Sequence, residues 1–394
     1  METVGSIQFA TATRQEPGQS LRWNHDSGFL LSISETLDLS GKPLGKGPGG
    51  ISLNPAGDAT LHCTDMKIPL RCFAPLAVLS LVTPAFAAFN MDYVSVGNPG
   101  NTADTADGDI YFTEGVQRYG SVDHAYNIGK YEVTNTQYAQ FLNAVDPSGA
   151  NANGIYNTNM GSNNRGGITY TSGSASGSKY TTRTNMGEKP VNYVSWYDAA
   201  RFTNWMATGN TETGSYTLNG NTGLITKNVG ATVYIPSEEE WYKAAYSNPA
   251  NASYSLYPTQ SNTIPTVATV DVLGDISNPG ANVANYYNGA DWGTPVQNGN
   301  VTTVGSAGAA SFYGTFDQGG NVWEWNDAVI GSSRGMRGGS WGNFDSFLAS
   351  SSRYYDGPSV EVDYMGFRVA SVPEPSCWIL TILASGLMLT RRKR

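Results

Sequence analysis

Two short apolar runs, each beside basic residues, bracket this chain and decide how much of it is left to fold. The first begins at an internal methionine. Met66 is followed by Lys67 and Arg71, then by the apolar stretch 72–82. Ala85-Phe86-Ala87 supplies the small-x-small pattern that a signal peptidase requires, so Ala85 and Ala87 mark a processing site and the mature chain is expected to start near Ala88. A signal peptide works only at an N-terminus, so residues 1–65 are expected to be upstream sequence from a wrong start-codon choice. The Gly-, Pro-, Ser- and Lys-rich stretch 39–57 shows no helical or strand periodicity and is expected to be disordered. The alternative is a genuine N-terminal extension followed by a buried apolar helix, against which Pro69, Pro75 and Pro84 stand.

The second run lies at 378–389, between Val372-Pro373-Glu374-Pro375-Ser376 and the terminal Arg391-Arg392-Lys393-Arg394. About a dozen apolar residues fall short of the roughly 20 that cross hydrocarbon comfortably, so a span over 377–390 is a marginal anchor. The basic end would stay in the cytoplasm by the positive-inside rule, leaving the folded part outside. The order Pro373-Glu374-Pro375, apolar helix, basic cluster resembles the PEP-CTERM sorting signal. That resemblance implies recognition and cutting of 372–394 by an exosortase in the inner membrane of a Gram-negative, exopolysaccharide-making bacterium. The alternative is a plain C-terminal anchor. Taken together the two ends predict an exported protein of the cell envelope or extracellular matrix, transiently anchored.

Between the signals lie residues 88–371, enough for one large domain with a full core. The chain carries a net charge of -9, so there is no basic field to attract nucleic acid. Only 14% of residues are charged, Gly numbers 46 and Tyr 23, and the mature region is dense in Asn, Ser and Thr. A surface polar without being charged suits long ordered loops and little regular secondary structure.

The cysteines are Cys63, Cys72 and Cys377, all outside 88–371, and of His25, His62 and His124 only His124 falls inside. A Cys/His zinc site or a two-histidine iron triad cannot be assembled from that inventory. A thiol nucleophile is excluded, and a Ser-His-Asp arrangement would depend on His124 alone. His124 sits in Val122-Asp123-His124-Ala125 ahead of a strand and reads as a surface histidine without partners.

Residues 126–133 read as a strand. Thr134-Asn135-Thr136-Gln137 is a capping box, and Tyr138, Phe141, Leu142 and Val145 follow at the spacing of one buried helical face. The device recurs at Ser195 with Asp198, ahead of Ala199, Phe202 and Met206, and at Ser237 with Glu240, ahead of Trp241, Ala244 and Ala245. Residues 191–194 and 231–235 are expected to be brief buried strands leading into those helices. The aromatics read mostly as core. Polar stretches at 147–188, 207–230 and 247–311 are long for a compact domain, which points to functional or ion-ordered loops.

Six blocks occur in order: Tyr131-Glu132-Val133-Thr134-Asn135, Pro190-Val191-Asn192-Tyr193-Val194-Ser195-Trp196, Pro236-Ser237-Glu238-Glu239-Glu240-Trp241, Gly320-Asn321-Val322-Trp323-Glu324-Trp325, Arg337-Gly338-Gly339-Ser340-Trp341 and Gly366-Phe367-Arg368. Together they resemble the formylglycine-generating enzyme, or sulfatase-modifying factor, family across nearly all of 88–371. The resemblance implies a single α+β domain of the C-type-lectin-like kind with sparse secondary structure and long loops. It also implies oxidation of a substrate cysteine by a copper-binding cysteine pair between the last two blocks. An ungapped reading places Asn343 and Leu348 at those positions, and neither is the thiolate that Cu(I) wants, so no copper and no catalytic residue is expected.

The resemblance further implies structural Ca²⁺. Asp317 and Glu324 would give carboxylate oxygens and Gly320 and Val322 backbone carbonyls, with a second site at Asn285 and the carbonyl of Tyr286. Glu324 reads alternatively as a helix-end or Arg-paired carboxylate. The family's peptide groove would be lined here by Trp341, Asn343, Arg353 and Tyr354, while Arg353 reads equally as the partner of a buried acid. These readings together predict a non-catalytic, calcium-stabilised binding or matrix protein for a peptide or polysaccharide ligand. The alternatives are an oxidoreductase of the formylglycine-generating class using non-cysteine residues or an oxygen-ligated metal, and a purely structural component of an extracellular polysaccharide layer.

Overall fold

A computed structural model describes residues 90–110, 115–218, 220 and 225–373, with the backbone of two short upstream strands, Ser52–Leu53 and Ala59–Thr60. Those two strands pair antiparallel, Ser52 opposite Thr60, within a unit spanning Met1–Pro84. The second unit, Ala85–Arg394, contains everything discussed below. The expected signal peptide and the sorting tail, including Ala85, Ala87, Glu374 and Pro375, lie outside the described residues, as does the rest of 1–65; Pro373 is described and exposed. No helix among the described residues is long and apolar enough to cross a membrane.

The domain is α+β with sparse secondary structure, as expected. The described helices are α1 (Asn135–Val145), the single turn α2 (Asn159–Ser162), α3 (Trp196–Thr208) and α4 (Glu238–Tyr246). The three capping boxes form as read. Gln137 accepts the Thr134 N–H at 3.0 Å, Asp198 accepts that of Ser195 at 2.8 Å, and Glu240 that of Ser237 at 2.8 Å, while each cap hydroxyl accepts the N–H three residues on. Each such cap stabilises its helix by about 1 kcal/mol. The apolar faces of α1 and α3 then meet: Phe141 lies 5.3 Å from Phe202 and 5.4 Å from Trp205, and Phe202 lies 5.3 Å edge-on to Phe367. Val145 and Met206, expected on those faces, are half-buried at their ends.

One four-stranded sheet is antiparallel throughout, in the order Tyr93–Val96, Tyr126–Gly129, Ala370–Ser371, Val233–Tyr234, so strands from the two ends of the described domain share it, on either side of Tyr126–Gly129. The other runs Tyr354–Asp356, Ser333–Arg337, Trp323–Ile330, Met365–Gly366, with the last pairing parallel and a bulge between Trp325 and Val329.

Two strand expectations need correction. The strand expected over 126–133 stops at Gly129, where a bend at Lys130 and Tyr131 takes the chain off the sheet, although Val133 still donates to the Phe367 carbonyl at 2.9 Å. Residues 191–194 are buried as expected but are no strand. Tyr193 has φ +56°, a left-handed conformation that breaks an extended run, and its N–H goes to the Val362 carbonyl at 3.0 Å. The long polar stretches are ordered by amides that imitate backbone. Asn143 donates to the Tyr180 carbonyl at 2.7 Å and accepts the Tyr180 N–H at 3.0 Å, pinning the hairpin Ile168–Tyr170/Tyr180–Thr182 to α1.

Candidate metal centre and ligand groove

Glu324 enters the interior on the strand Trp323–Ile330, where Arg368 meets it as a fork: Nε to Oε2 at 2.5 Å and Nη2 to Oε1 at 2.6 Å, both side chains fully buried. The Trp241 indole also donates to Oε2, at 2.7 Å. Glu324 is therefore an Arg-paired carboxylate. The remaining guanidinium N–H groups reach the carbonyls of Gly129 and Phe316 at 2.9 and 2.8 Å, so one ion pair ties α4 and both sheets together.

Two more acids share that cation. Glu132 is 1% exposed; its Oε1 accepts the Asn321 amide at 3.1 Å and its Oε2 has no partner. Burial first, then the charges of Asp317 and Glu324, hold the Glu132 carboxyl well above the usual range, against the pull of Arg368. Asp317, with φ +59° and its carboxylate enclosed, accepts the Gly305 N–H at 2.5 Å, and burial pushes it up to about 6.

The two expected calcium sites meet at one point, where Asn285 lies against Gly320 and Asn321. The Asn285 carbonyl accepts the Asn321 N–H at 2.8 Å, and a Cβ on Gly320 would lie 2.2 Å from that carbonyl, so only glycine, at φ +94°, allows the approach. The Asn285 side chain donates to the Asn300 carbonyl at 2.9 Å and its Oδ1 has no partner. The Tyr286 carbonyl, in contrast, closes a turn by accepting the Gly289 N–H at 3.1 Å. No three His, Cys, Asp or Glu side chains among the described residues group closely enough to hold a metal by themselves. A cation here would draw on Asp317, Glu324 and backbone oxygens such as those of Gly320 and Val322. Three acids around one arginine, with unpartnered oxygens on Glu132 and Asn285, fit a hard, oxygen-liganded cation; Arg368 competes with it for Glu324.

Of the expected groove residues Trp341 is buried, while Asn343, Arg353 and Tyr354 are half-buried and each contacts another part of the domain. Trp341 is 8% exposed, with the Arg165 guanidinium 4.2 Å over its ring. Arg165 is fixed there by the Gly299 carbonyl at 2.9 Å and by Asp363 at 3.3 Å. Asn343 accepts the Ser340 N–H and hydroxyl at 3.0 and 2.7 Å, a local turn. Leu348 is fully buried against Tyr257, Ala284 and Tyr286. Arg353 grips Glu238 at 2.7 Å, with Asp109 3.6 Å away, and Glu238 also accepts from Arg337 at 2.7 Å. That is the buried-acid reading of Arg353. Tyr354 lies on an edge strand, its ring 5.4 Å from Trp323. Arg165 and Asp363 gave no sequence signal: both sit in irregular stretches, 198 residues apart, and only the fold brings them together.

His124 needs correction as well. Its side chain is 54% exposed, but both ring nitrogens have carboxylate partners, Asp123 at 2.8 Å and buried Glu240 at 3.0 Å. Burial lowers its pKa, and the two carboxylates outweigh that and raise it. With both nitrogens engaged, the ring is no free base for a hydroxyl nucleophile.

Residues 87–372 match the family model described as the sulfatase-modifying factor enzyme 1-like domain. A comparison with curated proteins finds no match. Among solved structures, the chain resembles Treponema denticola variable protein 1 at 20% identity over 71% of this chain and 95% of that one, TM-score 0.44. It resembles CarF at 20% identity over 73% and 100%, TM-score 0.45, and PvdO from Pseudomonas aeruginosa at 19% identity over 73% and 96%, TM-score 0.42.

Proposed function

This chain belongs to the family of sulfatase-modifying factor enzyme 1-like domains, and from that premise we propose that it is a binding protein of the cell envelope rather than a cysteine-dependent oxidase. The observation that carries the reading is the pair Asn343 and Leu348. One folds back onto Ser340 and the other lies in the core, so the positions that correspond to the copper-binding cysteines offer neither a thiolate nor a shared opening. The neighbouring Trp341 and Arg353 are engaged by Arg165 and Glu238, which supports a rigid scaffold over a reactive cleft.

Export through the signal at 66–87, cleavage after Ala87, and sorting by an exosortase acting on Pro373-Glu374-Pro375 complete the proposal. Ca²⁺ would be structural. Bound beside Asp317 and Glu324 it would supply positive charge to an acid cluster that Arg368 alone leaves negative, keeping Glu132 and Asp317 ionised. Elemental analysis of the purified chain tests this. Near-stoichiometric calcium with neither copper nor iron is expected, and a redox metal at one equivalent would overturn the binding-protein reading.

A further inference from the structure

The domain also contains an open polar cleft of about 420 Å³, formed where the loop after α2 and the hairpin strand Tyr180–Thr182 face the segment around Trp292. Its size is that of an ordinary small-ligand site. Asn164, Thr169, Thr182, Thr184 and Asn185 line it, and among the described residues none of these five side chains has a hydrogen-bond partner in the protein. The more buried amides of the fold are committed within the protein instead. Asn143, Asn278 and Asn321, for example, hold backbone or neighbouring side chains.

Arg183 supplies the charge. Its Nη1 is tethered to the carbonyls of Asn163 and Gly166, which fixes the guanidinium while leaving Nε and Nη2 without a partner among the described residues. Arg165, Arg337, Arg353 and Arg368 all meet carboxylates; Arg183 meets none. No acid lines the cleft either, in a chain whose net charge is -9. Trp292 closes the floor without offering a stacking face, because Lys189 sits 4.6 Å over its ring and a Cβ on Gly274 would come within 2.4 Å of it. Recognition here therefore rests on hydrogen bonds and one fixed cation.

We propose that this cleft binds a carboxylated saccharide, with Arg183 holding the uronate carboxylate and the ring of Asn and Thr side chains reading its hydroxyls. A held guanidinium is suited to a planar carboxylate, and the unpartnered hydroxyls and amides each donate and accept, as vicinal hydroxyls require. The absence of acids on the lining lets the anion approach, and a neutral sugar would leave the Arg183 donors unmatched. This deepens the binding reading, but it uses residues apart from those of the metal centre and of the 341–354 segment.

Calorimetric titration of the full chain with tetragalacturonate, cellotetraose and tetraglutamate tests it. Saturable binding of tetragalacturonate is expected, with cellotetraose and tetraglutamate at least tenfold weaker. Because Arg183→Gln also loosens the loop it tethers, the second variant is Asn185→Asp. It keeps the shape, tolerates the φ of +61° at that position and adds a negative charge to the cleft. Both variants should weaken tetragalacturonate at least tenfold with metal content unchanged. No binding of tetragalacturonate, equal binding of tetraglutamate or cellotetraose, or unaltered affinity in Asn185→Asp would overturn the proposal, and none of these outcomes bears on whether the chain oxidises cysteine.

Discussion

Buried carboxyls set the behaviour of individual residues. Burial raises Asp198 to about 7, with the Glu361 carboxyl, which hydrogen-bonds it, adding to the shift; burial also raises Asp317 and Asp327 to about 6. A raised acid holds its proton longer folded than unfolded, so stability falls as pH climbs from about 4 through the folded value. His124, also raised, contributes stability below its unfolded pKa that is lost as pH rises through the folded one. Both effects have the same sign. In chelator, the melting temperature should be higher at pH 6 than at pH 8, and Asp198→Asn should narrow the gap; a melting temperature that rises from pH 6 to 8 would contradict these assignments. Glu324→Gln leaves the Arg368 guanidinium buried without its counter-charge and should cost about 3–5 kcal/mol in urea unfolding, as breakage of a buried pair does. A loss under 1 kcal/mol would mean that Glu132 or Asp317 takes over the pairing.

At the scale of elements, what the sequence made legible was local. Thr134, Ser195 and Ser237 announce their helices because a capping box needs only four residues in a row, and all three boxes close. Thr134→Ala should lower stability by about 1 kcal/mol through loss of the Gln137 N–H acceptor; thermal melts that coincide with the parent would show that packing against α3 alone holds α1. The turn at Tyr193 was not legible, since a tyrosine at positive φ is imposed by the Val362 contact from 169 residues away rather than by its own preference. Arg353 stayed balanced between two readings until burial of Glu238 placed its partner.

Over the whole molecule, six short blocks in order were enough to specify the family, because each sits where the domain crosses itself: Glu132 and Asn321 touch, Trp241 and Glu324 touch, Glu324 and Arg368 touch, Val194 and Trp325 touch, Glu238 and Arg337 touch. The candidate sites were harder to read. The resemblance pointed to the oxygen-rich set around Asp317 and Glu324, and an arginine partner for Glu324 was an open alternative, but which arginine it is could not be read, and the cleft around Arg183 was invisible because unpartnered side chains in a polar loop have no sequence pattern. If calcium is structural, chelator should lower the melting temperature and calcium restore it; calcium at 100 times its dissociation constant corresponds to about 2.7 kcal/mol. The most direct measurement of the central claim is oxygen uptake by the copper-supplemented chain with a cysteine-containing peptide. The account predicts a rate no higher than copper and peptide alone, and peptide-dependent uptake that requires the protein would contradict it.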